Sequence, residues 1–276
     1  DRHRAHVASF LLNETATTVI DPPSHRDGLP FAECGDGVRI RRMAFGATNA
    51  LGPRVVEALV AEFKREQVPT VITGEGSVFS AGLNLVELDR LGYAEIEAFI
   101  ERFSVLMMLT LTARFPLVAA VHGHAVAGGC FLSMACDHMI GVDGPFKIGM
   151  NELAIGLTLP AVVTEILRGK LAVNHARTVI LGGALFSPAD AVGAGLLDEI
   201  APDCEAALRR AIDVAKDLGN SPAEFAAMKG SLVAPITERL QHTREALDIR
   251  FVDSWFSDQA TALRRDLVAK LTSGKS

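Results

Sequence analysis

The sequence predicts an α/β fold with mainly parallel strands. Short apolar segments alternate with amphipathic helical segments from Gly37 to about residue 160. The links between them are short, and two of those links are glycine-bearing turns at strand ends. Strand–helix–strand alternation with short connections is the pattern of a sheet whose crossovers are helices.

In chain order, residues 6–20 read as a strand or a short helix, and residues 21–30 as a loop rich in Pro, Gly and Asp. The pattern clears at residues 38–45, which alternate like a half-buried strand. A helix then opens at Pro53, a favourable first-turn position, and runs to about residue 67 with Val55, Leu59 and Phe63 on one face. Residues 69–73 form a β-branched strand closed by Gly74 and Gly76. A long helix is expected over 94–115, its Met107-Met108 pair filling the core. It is followed by a buried strand at 116–123, a glycine-led helix at 127–137 and a strand at 138–143. Beyond Pro160 the periodicity is helical, apart from a strand at 196–201; Ser187 reads as an N-cap with Pro188 in the first helical position. The expected division is an extension over 1–35, an α/β core over 36–200 and a helical region over 201–276.

Composition narrows the function classes. Apolar residues make up 49% of the 276 and charged residues 22%, which suits a sizeable core. A net charge of −6 argues against a nucleic-acid backbone as partner. No run of about 18 uncharged apolar residues occurs, so no membrane span is expected. Cys34, Cys130, Cys136 and Cys204 match no zinc or CxxC spacing and read as reduced, mostly buried thiols. Asn13-Glu14-Thr15 fits a glycosylation sequon, but no signal peptide precedes it. A cytoplasmic location is expected; the start at Asp1 without Met leaves a removed leader open.

The chemistry lies in the two turns, residues 73–85 and 122–132. Glycine lets backbone approach a ligand, and ligands of α/β sheets bind beyond the carboxyl ends of strands. A helix opening at Gly128-Gly129 presents free N–H groups and a positive dipole end. Either turn taken alone also describes an ordinary tight connection. Gly74-x-Gly76 lacks the third glycine and the immediate helix of a dinucleotide site, and His122-x-His124 has no third metal ligand nearby. No G-x-S-x-G elbow is present.

Taken together, VITGEGSVFSAGLNL (71–85), PLVAAVHGHAVAGGCFLSMACDHMIG (116–141) and FKIGMNELAIGLTLP (146–160) closely resemble three signature blocks of the crotonase (enoyl-CoA hydratase/isomerase) superfamily. Weaker similarity extends the match from about Val38 to Leu271. The resemblance implies a crotonase-like spiral of ββα repeats with a C-terminal helical trimerisation region. It implies that the N–H groups of Leu83 and Gly128 form an oxyanion hole for a thioester carbonyl. Ala81 and Leu85 match positions lining a CoA adenine pocket, and Gly82 lets the loop turn. Asn84 stands where the similar enzymes carry Asp, and hydrogen bonds from its side chain are expected to brace the loop.

Family hydratases carry two catalytic glutamates. The first position here is Phe131, which moves no proton; the second is Glu152. One carboxylate suffices to shift a double bond from C3 to C2, taking a proton from C2 and returning it at C4. The blocks are accordingly more similar to single-glutamate Δ3,Δ2-enoyl-CoA isomerases, and an apolar pocket would raise the Glu152 pKa. The resemblance implies an acyl-CoA thioester as substrate, with CoA part of the substrate, no permanently bound cofactor, no nicotinamide and no metal. It also implies a homotrimer or dimer of trimers; Phe251, Trp255 and Phe256 either supply apolar surface to a partner subunit or pack within their own. Two alternatives stand. One is a hydratase or another crotonase reaction, pairing Glu152 with His122, His124 or Glu87. The other is a non-catalytic member that binds acyl-CoA, RNA or a protein.

Overall fold

In the computed structural model, residues 31–33, 37–65 and 68–273 are described. The readings for residues 6–30, the sequon and Cys34 lie outside them. Six strands form the larger sheet: β1 (Phe31–Glu33), β2 (Arg39–Met43), β3 (Thr70–Gly74), β5 (Leu117–Val121), β7 (His138–Val142) and β10 (Glu199–Ala201), in that spatial order. Only β1 is antiparallel to its neighbour. A second sheet takes β4 (Val78–Ser80), β6 (His124–Val126), β8 (Ile148–Gly149) and β9 (Leu185–Phe186). Each of the pairs β3–β4, β5–β6 and β7–β8 gives one strand to each sheet, and this alternation generates the spiral. The second sheet has no period-two signal in the sequence because its strands are two or three residues long.

All five residues of β3 and of β5 are buried, since both faces of a parallel sheet are covered. Val71, Val118, Ala120, Ile140 and Val142 pack against Ala207, Ala211 and Val214 of the C-terminal helix Cys204–Gly219. The opposite face carries Ile72, Leu117, Ala119 and Val121 into the main core. That core is closed by helices α1 (Pro53–Arg65), α3 (Tyr93–Leu111) and α4 (Gly128–Ala135); the short α2 (Leu85–Leu88) lies between the first two.

Two helices differ from their sequence reading. The buried stripe of α1 is Val56, Leu59, Val60 and Phe63, with Val55 at its edge. Helix α3 stops at Leu111 instead of Phe115: the Thr112 hydroxyl donates to the Met108 carbonyl at 2.7 Å, and Pro116 disfavours helical backbone just before it. Met107 and Met108 are core residues, as expected.

After the third pair come α5 (Ala161–Lys170), α6 (Val173–Gly182), α7 (Pro188–Gly193), α8 (Cys204–Gly219), α9 (Pro222–Trp255) and α10 (Asp258–Thr272). Ser187 caps α7 by accepting the Asp190 N–H, with Pro188 in the first turn. The alternative that Phe251 and Trp255 offer surface to a partner is corrected here. Both are buried within their own chain, and the Arg264 guanidinium lies 4.2 Å from the Trp255 ring centroid. Phe256 is partly exposed and stacks on Tyr93. Cys130 and Cys136 are buried free thiols, while Cys204 is exposed. Among the described residues no helix is long and apolar enough to cross a membrane.

Candidate active site

The two glycine turns meet at the ends of β4 and β6. Leu83 pairs with Leu51 as an isolated parallel bridge: the Leu51 N–H donates to Gly82 O at 2.7 Å, and the Asn84 N–H donates to Leu51 O at 3.0 Å. Parallel pairing of this kind uses the amide groups flanking Leu83, so the N–H of Leu83 itself is directed away from Leu51. Gly82, at φ +88°, touches the second turn; a Cβ there would lie 2.8 Å from both the Ala127 Cβ and Val126 O, and 3.0 Å from Gly128 N. Only glycine permits this approach, and it brings Leu83 and Gly128 together. Gly128 opens α4, so its N–H has no carbonyl one turn back. The first bond of that helix is from Phe131 N–H to Ala127 O, at 3.0 Å.

Ala127 joins the strand to the helix at φ +50° and ψ −123°, a conformation strained for a residue with a side chain. Its N–H is anchored on Gly149 O at 2.8 Å. The strain therefore sits at the junction that aims the Gly128 N–H.

A cavity of about 420 Å³ opens beside these turns. Ala81, Leu83, Asn84 and Leu85 line one side, Ala127 and Phe131 another, and Asn151 and Glu152 a third. Gly82 and Gly128 adjoin this wall without lining it. Glu152 is the only ionisable side chain among the lining residues. It opens the 3-10 turn Glu152–Ile155 that follows β8. The residue is 8% exposed, and its buried Oε2 has no hydrogen-bond partner among the described residues. Burial pushes the carboxyl pKa up to about 7, against a smaller downward pull from the N–H groups of Glu152 and Asn151. The neighbouring Cys130 thiol is pushed up to about 12, first by burial and then by the Glu152 charge.

Of the remaining polar candidates, only Asn84 lines the cavity. The Asn84 side chain accepts the Glu87 N–H at 3.3 Å and donates to the Glu87 carboxylate at 3.1 Å. It thus caps α2 and braces the loop; an Asp there would lack the donor. His122 is buried against Thr73, and His124 accepts the Lys147 N–H at 3.1 Å. Neither histidine lines the cavity, nor does Glu87, so none stands beside Glu152 as a second proton carrier. The sequence reading missed Asn151 and the strained Ala127. Asn151 was legible as a polar residue next to Glu152 in an apolar block; the φ of Ala127 had no sequence signal.

Residues 40–263 match the family described as Enoyl-CoA hydratase/isomerase. Among curated relatives, "Enoyl-CoA delta isomerase 1, mitochondrial" of Mus musculus is 32% identical over 135 residues, 48% of this chain and 47% of that protein. "Probable enoyl-CoA hydratase echA8" of Mycobacterium leprae is 28% identical over 217 residues, 75% of this chain and 82% of that protein. The match thus spans about half the length of the mouse isomerase. Of solved structures, human mitochondrial delta3-delta2-enoyl-CoA isomerase superposes with a TM-score of 0.83 at 24% identity, covering 90% of this chain and 99% of that one; this likeness speaks to fold alone. An enoyl-CoA hydratase/isomerase family protein from Pseudomonas syringae gives 0.75 at 28% identity, covering 82% and 98%. With its crotonase spiral and a family match over most of its length, the chain belongs to the enoyl-CoA hydratase/isomerase family.

Proposed function

We propose that this protein is an acyl-CoA enzyme that stabilises a thioester enolate and moves the double bond of a 3-enoyl-CoA to the 2-position. The observation that carries this reading is the single ionisable side chain of the cavity, Glu152, with Phe131 where the resemblance places the first family glutamate. In this reading the Glu152 carboxylate takes a proton from C2. The electron pair moves into the conjugated carbonyl, and the resulting dienolate oxygen accepts hydrogen bonds from the N–H groups of Leu83 and Gly128. Protonated Glu152 returns the proton at C4, which leaves the double bond between C2 and C3 and regenerates the carboxylate. Donors preorganised in a dry site stabilise such an anion, and removal of one costs about 10²–10³-fold in comparable enzymes. A pKa of about 7 suits a group that must both take and return a proton near neutrality.

Hydration needs a second group to hold or deprotonate water, and no other ionisable side chain lines this cavity. The hydratase relatives keep that reaction as the second reading. Turnover of 3-enoyl-CoA against 2-enoyl-CoA, in a panel of graded length, tests the choice. Hydration of 2-enoyl-CoA that exceeds isomerisation would overturn the isomerase reading. The same reading takes CoA as part of the substrate and needs no bound cofactor or metal. Its assembly is a homotrimer or dimer of trimers, for which exposed Leu153, Val173 and Leu181 offer apolar contact surface. A monomer in light scattering at micromolar concentration would refute the assembly.

A further inference from the structure

Ser80 ends β4, two residues before the glycine of the first turn, and is fully buried. Its hydroxyl serves two partners. It donates to the main-chain carbonyl of Asn49 at 2.8 Å and accepts the Gly82 N–H at 3.2 Å. The same residue meets the second turn: a Cβ on Gly129 would lie 2.7 Å from the Ser80 Cβ and would overlap the Ser80 carbonyl oxygen. One small side chain thus joins the three segments that converge on the site, residues 45–52, residues 80–84 and the start of α4.

The Asn49 end of this link is itself held. Asn49 is buried at φ +46°, a left-handed conformation that Asn tolerates better than most residues. Its side-chain oxygen accepts the Phe45 N–H at 2.8 Å, and its amide donates to the Val78 carbonyl at 3.1 Å. The Ala81 N–H closes the seam further, donating to Thr48 O at 2.9 Å. Leu51, two residues on, is the bridge partner of Leu83. Without the Ser80 hydroxyl, the Gly82 N–H and the Asn49 carbonyl lose these partners where water does not reach, and the backbone relieves that cost by moving. We infer that Ser80 is a positioning residue that sets the separation of the Leu83 and Gly128 N–H groups. It does so without contacting substrate, since it is absent from the cavity lining. The inference rests on the enolate reading above and adds the residue that fixes its donors.

A ground-state thioester draws little on the two donors, whereas an enolate oxygen draws on both. The test therefore uses 3-oxobutanoyl-CoA, whose C2 proton is acidic and whose enolate absorbs in the near ultraviolet. Bound to the native protein at a fixed pH, it should show a larger enolate fraction than in solution. A misplacement of about 1 Å costs about 100-fold, so a fraction of that shift in Ser80→Ala should lower the bound enolate-to-neutral ratio at least about tenfold. The kcat for 3-enoyl-CoA should fall with it, while KM and the Kd of saturated butanoyl-CoA stay within about twofold. Retained butanoyl-CoA binding also shows that the variant folds. Ser80→Cys fills the same space with a weak hydrogen-bonding group and should lose enolate likewise, so it carries the test if the alanine variant does not fold. Thr70→Val is the stability control. Thr70 opens β3 at the end away from the site, and its buried hydroxyl donates to Val68 O at 2.8 Å. Its loss should lower the melting temperature and leave the enolate fraction and kcat unchanged. An undiminished enolate fraction in the Ser80 variants overturns the inference and leaves the enolate reading standing. An equal loss in Thr70→Val overturns it too, because destabilisation alone would then account for the effect. A native protein that binds the ligand without enolising it overturns the enolate reading, and the inference with it.

Discussion

Replacing Glu152 by Gln should make the protein less active and, above neutral pH, more stable. The carboxyl has an ordinary pKa of 4.5 and is raised to about 7 by burial. A raised pKa means the fold favours the protonated form. The stability this contributes is fully present below pH 4.5 and is lost as pH rises through 7. At 1.36 kcal/mol per pH unit the loss amounts to about 3 kcal/mol by pH 8.5. Glutamine keeps the shape and carries no charge, so the variant should escape the loss. Urea unfolding of both proteins, at one fixed concentration, should give curves that nearly coincide at pH 4.5 and separate progressively to pH 8.5. Turnover of 3-enoyl-CoA should fall by about 10²–10⁴-fold while acyl-CoA binding survives, because the proposed donors at Leu83 and Gly128 are untouched. The native kcat should rise with pH through a limb near 7, and the residual activity of the variant should lack it. A variant that is less stable than the native protein at pH 8.5 would refute the desolvation argument. Near-native isomerisation by that variant would remove Glu152 as the base.

Three further substitutions probe the surroundings. Gly82→Ala places a methyl group 2.8 Å from the Ala127 Cβ at φ +88°, so the turns must part; kcat should drop at least about 100-fold with the circular dichroism of the fold retained. Ala127→Gly releases backbone strain of about 1–3 kcal/mol against an entropy cost of about 0.5–1 kcal/mol, so its melting temperature should rise. Phe131→Glu restores a second carboxylate; loss of 2-enoyl absorbance should report increased hydration, and the buried charge should lower the melting temperature.

Much of the site was legible before any coordinates because its chemistry depends on residue types that local sequence fixes. Gly82 and Gly128 permit close backbone approach, Glu152 supplies the cavity's carboxylate, and Phe131 stands where the resemblance places the first family glutamate. The apolar runs of β3 and β5 were equally legible, since strands covered on both faces need uninterrupted apolar residues. The second sheet was not, because strands of two or three residues carry no periodicity and exist only where another strand comes alongside. Whether Phe251 and Trp255 face a partner or their own core depends on where α9 docks, which helical spacing leaves undetermined. The sequence anticipated the direction of the Glu152 pKa shift from its apolar block; the tertiary structure alone set its size and the place of Glu152 in the cavity wall, since burial and cavity shape arise from segments distant in the chain. Sequence determined which groups are available for the chemistry; packing decided their environment, because desolvation depends on everything that surrounds a charge.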